Sequence, residues 1–385
     1  MGTAPTTELA LDEIRLGHLD TWTRPDIDGI FAKLRAERPV SFHAEQEYAT
    51  MPAGPGFWAL TRYDDVMRVS RDPATFVSGR GTNIGDIPQE IAEFLGSMIN
   101  MDAPRHTKLR LIVNRGFTPL QIRKLEQSVR DRARAVVDAV APKGECDFVT
   151  EIAAPLPLQI VCDMLGIPPG DEQRVFELTN IILGVGDPEY VTSLEELMAA
   201  GFELFQYGLD LAEDRRRNPR DDITTALMHA EVDGERLTPT ELGSFFVLLV
   251  AAGNETTRTA ISHGMLALTQ RPDERARWIA DFEAVSPAAV EEIVRWATPV
   301  INFRRTATRD VEIGGEHIAS GDKVVMFYNS ANRDEQVFPD PFRFDVTRSP
   351  NEHLGFGGGG PYFCLGANLA GREIKVMFEE LFRRL

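Results

Sequence analysis

Cysteine is scarce in this chain: Cys146, Cys162 and Cys364 are the three in 385 residues, far apart and odd in number. That excludes a disulfide scaffold and fits a reducing cytoplasm. Positive charge is in deficit, with 41 Lys and Arg against 59 Asp and Glu and a formal charge of −18. Nucleic acid is therefore excluded as the main partner, since phosphate binding needs a net basic face. No leader-like apolar stretch opens the chain. Asp12, Glu13, Arg15 and Asp20 interrupt its first part, so neither a signal peptide nor a membrane anchor is expected. Met1-Gly2-Thr3-Ala4-Pro5-Thr6 fits the loose myristoylation pattern, a match short enough to arise by chance. Repeats and low-complexity linkers are absent, and Pro and Gly are spread along the chain. Apolar residues are plentiful at 43%, which supplies a sizeable core and argues against disorder.

Apolar positions at helical spacing mark residues 120–140, 151–166, 171–184, 193–216, 239–271, 287–297 and 366–384. Strand-like runs are short: Phe57–Thr61, Val311–Ile313 and Lys323–Phe327. Ile313-Gly314-Gly315-Glu316-His317 reads as a hairpin turn leading into the last of these. The expected architecture is one large, mainly α domain over residues 1–385 with small β-sheets.

One helix stands apart. Thr238-Pro239-Thr240-Glu241 offers an N-cap threonine, a proline at the first helical position and a capping-box glutamate. The pattern runs to Gln270, about 48 Å at ~1.5 Å per residue. Its middle, Phe245 to Ala252, is apolar all round, so the helix should be buried on every side. Inside it sits Ala252-Gly253-Asn254-Glu255-Thr256-Thr257-Arg258. Gly253 has two readings: it lets a neighbouring helix approach, or it opens the helix over a bound cofactor with Thr256 and Glu255 handling protons.

The second feature is Gly355-Phe356-Gly357-Gly358-Gly359-Gly360-Pro361-Tyr362-Phe363-Cys364-Leu365-Gly366, which leads into a helix. No apolar strand precedes it and no Gly-Lys-Ser/Thr ending follows, so it is not a phosphate loop. A flat glycine loop that delivers one cysteine to a helix N-terminus suits a stabilised thiolate beside a large planar ligand, as in an axial haem ligand. Cys146 and Cys162 read as small buried hydrophobes.

Taken together, these stretches resemble the cytochrome P450 family of haem-thiolate monooxygenases over nearly the whole chain. Phe363-Cys364-Leu365-Gly366 closes the haem loop, and Ala252–Thr257 resembles the oxygen-activating helix. Glu292-Ile293-Val294-Arg295 matches the Glu-x-x-Arg helix, and Pro341-Phe342-Arg343-Phe344 supplies the arginine expected to complete a Glu-Arg-Arg triad. The resemblance implies the P450 fold, a single triangular helical domain around a long central helix. It implies haem b held by a Cys364 thiolate, with Phe356, Gly357 and Gly366 shaping the loop. O2 is the co-substrate, with Thr256 as hydrogen-bond donor in a proton relay, Glu255 behind it, and Ala252 and Gly253 leaving space. His106, Arg110 and Arg305 stand where similar proteins bind haem propionates. Glu292, Arg295 and Arg343 are structural. Two positions depart from the family: Tyr362 stands where His or Arg is usual, and Gly371 where a basic residue is common. A phenol brings no charge, so propionate anchoring should be weaker on that side. The chain stops inside the helix after the loop, where similar proteins continue into a β-hairpin lining the substrate cavity: either the sequence is truncated at Leu385 or that wall is missing.

Electrons are then expected from a ferredoxin and an NAD(P)H-dependent ferredoxin reductase, with the enzyme a cytoplasmic monomer. Between Arg105 and Arg134 nine Lys and Arg (Arg105, Lys108, Arg110, Arg115, Arg123, Lys124, Arg130, Arg132, Arg134) face two acids, which suggests a basic dock for an acidic ferredoxin. Substrate-facing candidates are Ile84, Ile87, Met98, Ile99, Ile182, Leu183, Leu249, Val300, Ile301 and Phe303, an apolar set suited to a lipid-like substrate. Ala251–Arg258, Gly184–Pro188, Ser330–Asp334 and His353–Pro361 are similar to actinobacterial members that hydroxylate methyl-branched lipids and sterol side chains, often at the terminal carbon. A terpenoid or polyketide tailoring hydroxylase and a peroxide-using haem protein are the alternatives.

Overall fold

Thr238 opens the longest helix with the reciprocal bonds its sequence announces. Its Oγ1 accepts from the Glu241 amide at 3.2 Å, and the Glu241 carboxylate accepts from the Thr238 amide at 3.0 Å. The computed structural model describes residues 5–47, 52–116, 119–184, 187, 189–191 and 193–385, with backbone only at 115, 116 and 119–124. Met1–Ala4 of the myristoylation match, and Val185, Gly186 and Pro188 of the Gly184–Pro188 stretch, lie outside them, as do the side chains of Arg115, Arg123 and Lys124.

In chain order the described residues form α1 (Leu19–Trp22), α2 (Ile27–Glu37), β1 (Val40–His43), β2 (Phe57–Leu60), α3 (Tyr63–Arg71) and β3 (Phe76–Val77). Next come α4 (Gln89–Gly96), α5 (Arg105–Gly116), α6 (Pro119–Val140), α7 (Pro155–Leu165), α8 (Glu172–Leu183), α9 (Leu194–Arg217), α10 (Ile223–His229) and α11 (Pro239–Gln270). The remainder is α12 (Pro272–Ala280), α13 (Phe282–Ala297), β4 (Asn302–Ala307), β5 (Val311–Ile313), β6 (Glu316–Ile318), β7 (Lys323–Phe327), α14 (Tyr328–Ala331) and α15 (Ala367–Arg384). Contacts group the chain into two units, residues 1–89 with 267–364 and residues 90–266 with 365–385.

The first unit is built on a five-stranded sheet of order β1-β2-β7-β4-β3, in which β2 and β7 are parallel and the other pairs antiparallel. Side chains alternate across it. Val324 and Met326 join Val40, Leu60, Val66 and Phe76 on one face, while Val325 and Phe327 join Ile30, Phe31, Leu34, Phe57 and Ala59 on the other. Both faces are covered, which is why β7 is apolar without interruption after Lys323. The Gly314-Gly315 turn closes a hairpin as its sequence suggests, with φ of +60° and +83°. It pairs β5 with β6, however, and not with β7. Residues 316–318 are too few and too polar to announce a strand.

In the second unit, α15 packs on α6 and α7, α6 on α7, and α8 on α9. Leu158, Val161, Leu165, Leu178, Ile182, Leu204, Phe246, Val247 and Val250 form its apolar core. The described helices include none long and apolar enough to cross a membrane.

Candidate active site

The glycine loop belongs to the first unit. Gly357, Gly359 and Gly360 have φ of +97°, +80° and +78°, a region other residues avoid. A Cβ on Gly360 would come within 3.0 Å of the Ser70 carbonyl, and one on Gly358 within 2.8 Å of the Ser70 Cβ. The glycines thus let the loop lie flat on the end of α3. Ser70 Oγ donates to the Gly359 carbonyl at 3.2 Å. The loop turns back on itself where the Cys364 amide donates to the Phe356 carbonyl at 3.0 Å. Phe356 sits between His353 and Phe363, with ring centroids 5.8 and 6.4 Å away. Cys364 is exposed, whereas Cys162 is buried and burial pushes its thiol up to about 12. Cys146, read from the sequence as a buried hydrophobe, is exposed as well. Gly366 caps α15, two residues beyond the thiol.

Arg305 lies on β4 opposite Val324 of β7 and is 3% exposed. Its guanidinium stands 4.8 Å over the Tyr362 ring and donates to the Arg304 carbonyl at 2.8 Å. Arg304 and Lys323 next to it are matched to carboxylates: Arg304 to Asp86, and Lys323 to Glu45 and Asp86, all at 2.6 Å. Arg304 also donates to the Arg80 carbonyl and Lys323 to that of Ile84, so these cations clasp the 80–86 loop onto the sheet.

Glu292 and Arg295, one turn apart on α13, are fully buried and paired at 2.7 Å through both carboxylate oxygens. Arg295 also donates to the Asn332 and Pro341 carbonyls. The second arginine on Glu292 is Arg348, at 3.1 Å, and not Arg343. The Arg343 guanidinium is 56% exposed and turned to Glu274 and Asp345, and only its carbonyl meets Arg295 and Arg348. The motif around Arg343 places the segment correctly. Arg348, five residues on, carried no periodic signal in the sequence.

In the second unit the middle of α11 is buried with a local break. Val250 is wholly buried and Ala251 nearly so, but Ala252 is exposed and Gly253, Glu255 and Thr256 are partly so. The expectation of an all-round buried middle therefore fails at one patch, which carries the Ala-Gly-x-Glu-Thr residues. Thr256 Oγ1 donates to the Ala252 carbonyl at 2.8 Å. Glu255 is ion-paired with Arg258, whose guanidinium lies 5.9 Å from the Phe176 ring of α8. Asn254 is buried, with neither amide atom bonded to another described group. A Cβ on Gly253 would come within 2.5 Å of Val161 on α7, so this glycine admits a neighbouring helix.

His106 is buried in the first turn of α5, its amide bonded to the Asp102 carbonyl, with Arg110 one turn on. The cations of this stretch are largely matched within the second unit. Arg105 pairs with Glu93, Lys108 with Glu235, Arg130 with Glu379, Arg132 with Asp163 and Arg134 with Glu380. The sequence tally therefore overstates its free charge.

The apolar candidates divide. Met98 is buried, Ile99 and Ile87 are half-buried, and Ile301 and Leu183 are exposed. Ile182 and Leu249 pack with the core of the second unit, while Ile84, Val300 and Phe303 pack against the cores of the first.

The family model described as "Cytochrome P450" matches residues 189–385. The chain is a cytochrome P450. Its relatives among characterised proteins agree over nearly its full length. It is 53% identical over 386 residues to the methyl-branched lipid omega-hydroxylase of Mycobacterium tuberculosis (strain ATCC 25618 / H37Rv), covering 99% of this chain and 90% of that one. It is 42% identical to the steroid C26-monooxygenase of Mycolicibacterium smegmatis, covering 92% and 86%. Among solved structures, a Mycobacterium marinum cytochrome P450 in complex with pseudoionone superimposes with a TM-score of 0.90 at 44% identity, covering 96% and 92%.

As a P450 the protein is a monooxygenase with a haem-thiolate iron, uses O2, and has the mainly helical P450 fold. The residues of the first unit suit that cofactor. An exposed thiol ends a flat glycine loop, and Arg305, a buried cation, stands over the same loop. Among the described residues no cluster of three or more His, Cys, Asp or Glu could hold a bare metal ion.

Proposed function

We propose that this P450 hydroxylates a methyl-branched lipid or a sterol side chain, at or near the terminal carbon. The observation that carries this reading is the 53% identity, over 99% of the chain, to a protein named for omega-hydroxylation of methyl-branched lipids. The steroid C26-monooxygenases at 42% identity share the chemistry of a branched hydrocarbon end. Both substrate types suit the apolar candidates Ile99, Leu249 and Ile301.

Residues 1–385 act as one monooxygenase domain and a monomer in the cytoplasm, supplied by a ferredoxin and an NAD(P)H-dependent ferredoxin reductase. The haem supplies O2 activation, with the thiolate favouring O–O cleavage. Cys364 would ligate it, and His106, Arg110 and Arg305 would bind its carboxylates. The chain's other residues manage space and protons. Ala252 keeps the exposed patch of α11 small. Thr256 holds its proton on the Ala252 carbonyl at 2.8 Å and can turn it outward by one rotamer change. Glu255 stands behind it, its carboxylate fixed by Arg258 one turn along.

Spectral titration tests the substrate. Phytanic acid or cholest-4-en-3-one should shift the ferric spectrum from low to high spin, and linear fatty acids should not. No shift with any of them would replace this reading with a tailoring hydroxylase of a terpenoid or polyketide. Thr256→Ala tests the relay. Haem content should be unchanged, while product formed per NAD(P)H consumed falls by about a hundredfold, the low end for a lost proton-transfer group. Thr256→Ser should restore most of it. Unchanged coupling in the alanine variant would remove Thr256 from the relay.

A further inference from the structure

Arg305 is a cation almost withdrawn from water, yet among the described residues no carboxylate pairs with it. Its neighbours differ. Arg304, Lys323 and Arg295 all have acidic partners. A guanidinium buried this deeply without a counter-charge is costly unless an anion arrives from outside the chain. What holds it in the meantime is the Tyr362 ring, 4.8 Å below. Tyr362 is this chain's departure from the basic residue usual at that place in the cysteine loop.

We propose that Tyr362 is a positioning residue whose ring clamps the Arg305 guanidinium by a cation–π contact, so that a haem carboxylate is bound by one buried cation on a neutral aromatic shelf instead of by two cations. This rests on the haem site proposed above. Arg305 is fixed at its backbone by the β4–β7 register and at its head by the Arg304 carbonyl and the ring. The clamp depends on the face of the ring, so the hydroxyl is secondary.

The test measures haem transfer from the loaded protein to excess apomyoglobin for Tyr362→Phe and Tyr362→Leu. The phenylalanine variant should lose haem within about twofold of the parent rate, and the leucine variant about tenfold faster, the scale of a desolvated cation–π contact. Parent-like loss in the leucine variant would overturn the clamp. So would equal loss in the phenylalanine and leucine variants. Circular dichroism on each variant separates misfolding from haem loss. The reduced carbonyl spectrum of Cys364→Ser is recorded alongside. Persistence of the thiolate-type band there would sink the haem-site reading itself, whereas loss of that band with flat Tyr362 rates would sink only the clamp.

Discussion

Cys364→Ala is expected to abolish the red-shifted Soret band of the reduced carbonyl complex and, with it, monooxygenase turnover. The change removes one sulfur atom and little else. The Cys364 amide still donates to the Phe356 carbonyl, so the loop keeps its turn. The side chain is exposed, so no cavity opens in a packed core. Stability of the haem-free chain should stay within about 0.5 kcal/mol of the haem-free parent, as for exposed substitutions generally. A spectroscopic loss on an unchanged fold then reports the ligand alone. The thiolate is the electron-rich donor that favours O–O cleavage, and neither alanine nor a bound water replaces it. Survival of the band would move the ligand to another residue.

The largest effect on stability should fall on Arg295. It and Glu292 are both fully buried and doubly hydrogen-bonded at 2.7 Å. Removing one member strands the other as a buried charge, at a cost of about 3–5 kcal/mol. Arg295 also ties α13 to the Asn332 and Pro341 carbonyls, so its loss loosens the segment ahead of the cysteine loop. Arg295→Leu should accumulate poorly and unfold at much lower urea. Two controls discriminate between the arginines. Arg348→Ala removes a bond to Glu292 at 3.1 Å and should cost about 1.5–3 kcal/mol, as for hydrogen bonds to charged groups. Arg343→Ala breaks only long pairs, at 3.6 Å to the buried Glu274 and 3.8 Å to Asp345, made by a guanidinium more than half exposed, and should cost under about 1 kcal/mol. Equal urea midpoints for the Arg343 and Arg348 variants would restore Arg343 to the triad.

Local signals made some of this legible in advance. The capping box at Thr238 and the long apolar run of α11 depend on neighbours in sequence, and both are found where their residues place them. The glycine loop was legible for the same reason. Strand β4 was not, because Arg304 and Arg305 interrupt any alternation. Their burial makes sense only with Asp86 and Tyr362, which are distant in sequence. Gly253 was ambiguous until Val161 stood against it. Arg348 was missed because a short motif favoured Arg343, while the partner is chosen by the path of the chain. The basic tally of residues 105–134 misled for a related reason. Charge counted along the sequence ignores Glu379, Glu380 and Asp163, which arrive from α15 and α7.

The parallel pairing of β2 with β7 has a consequence for how this protein comes into being. Phe57 waits for Lys323, and Arg35 meets Glu335 across 300 residues of chain. During synthesis β1 and β2 therefore emerge with no partner but each other, while the continuous stretch 90–266 can settle first by contacts closer in sequence. For most of translation β1 and β2 hold apolar faces and an open edge, the condition in which strands pair wrongly or aggregate. Yield from rapid expression should accordingly depend on chaperone supply and on temperature more than on the final stability of the fold.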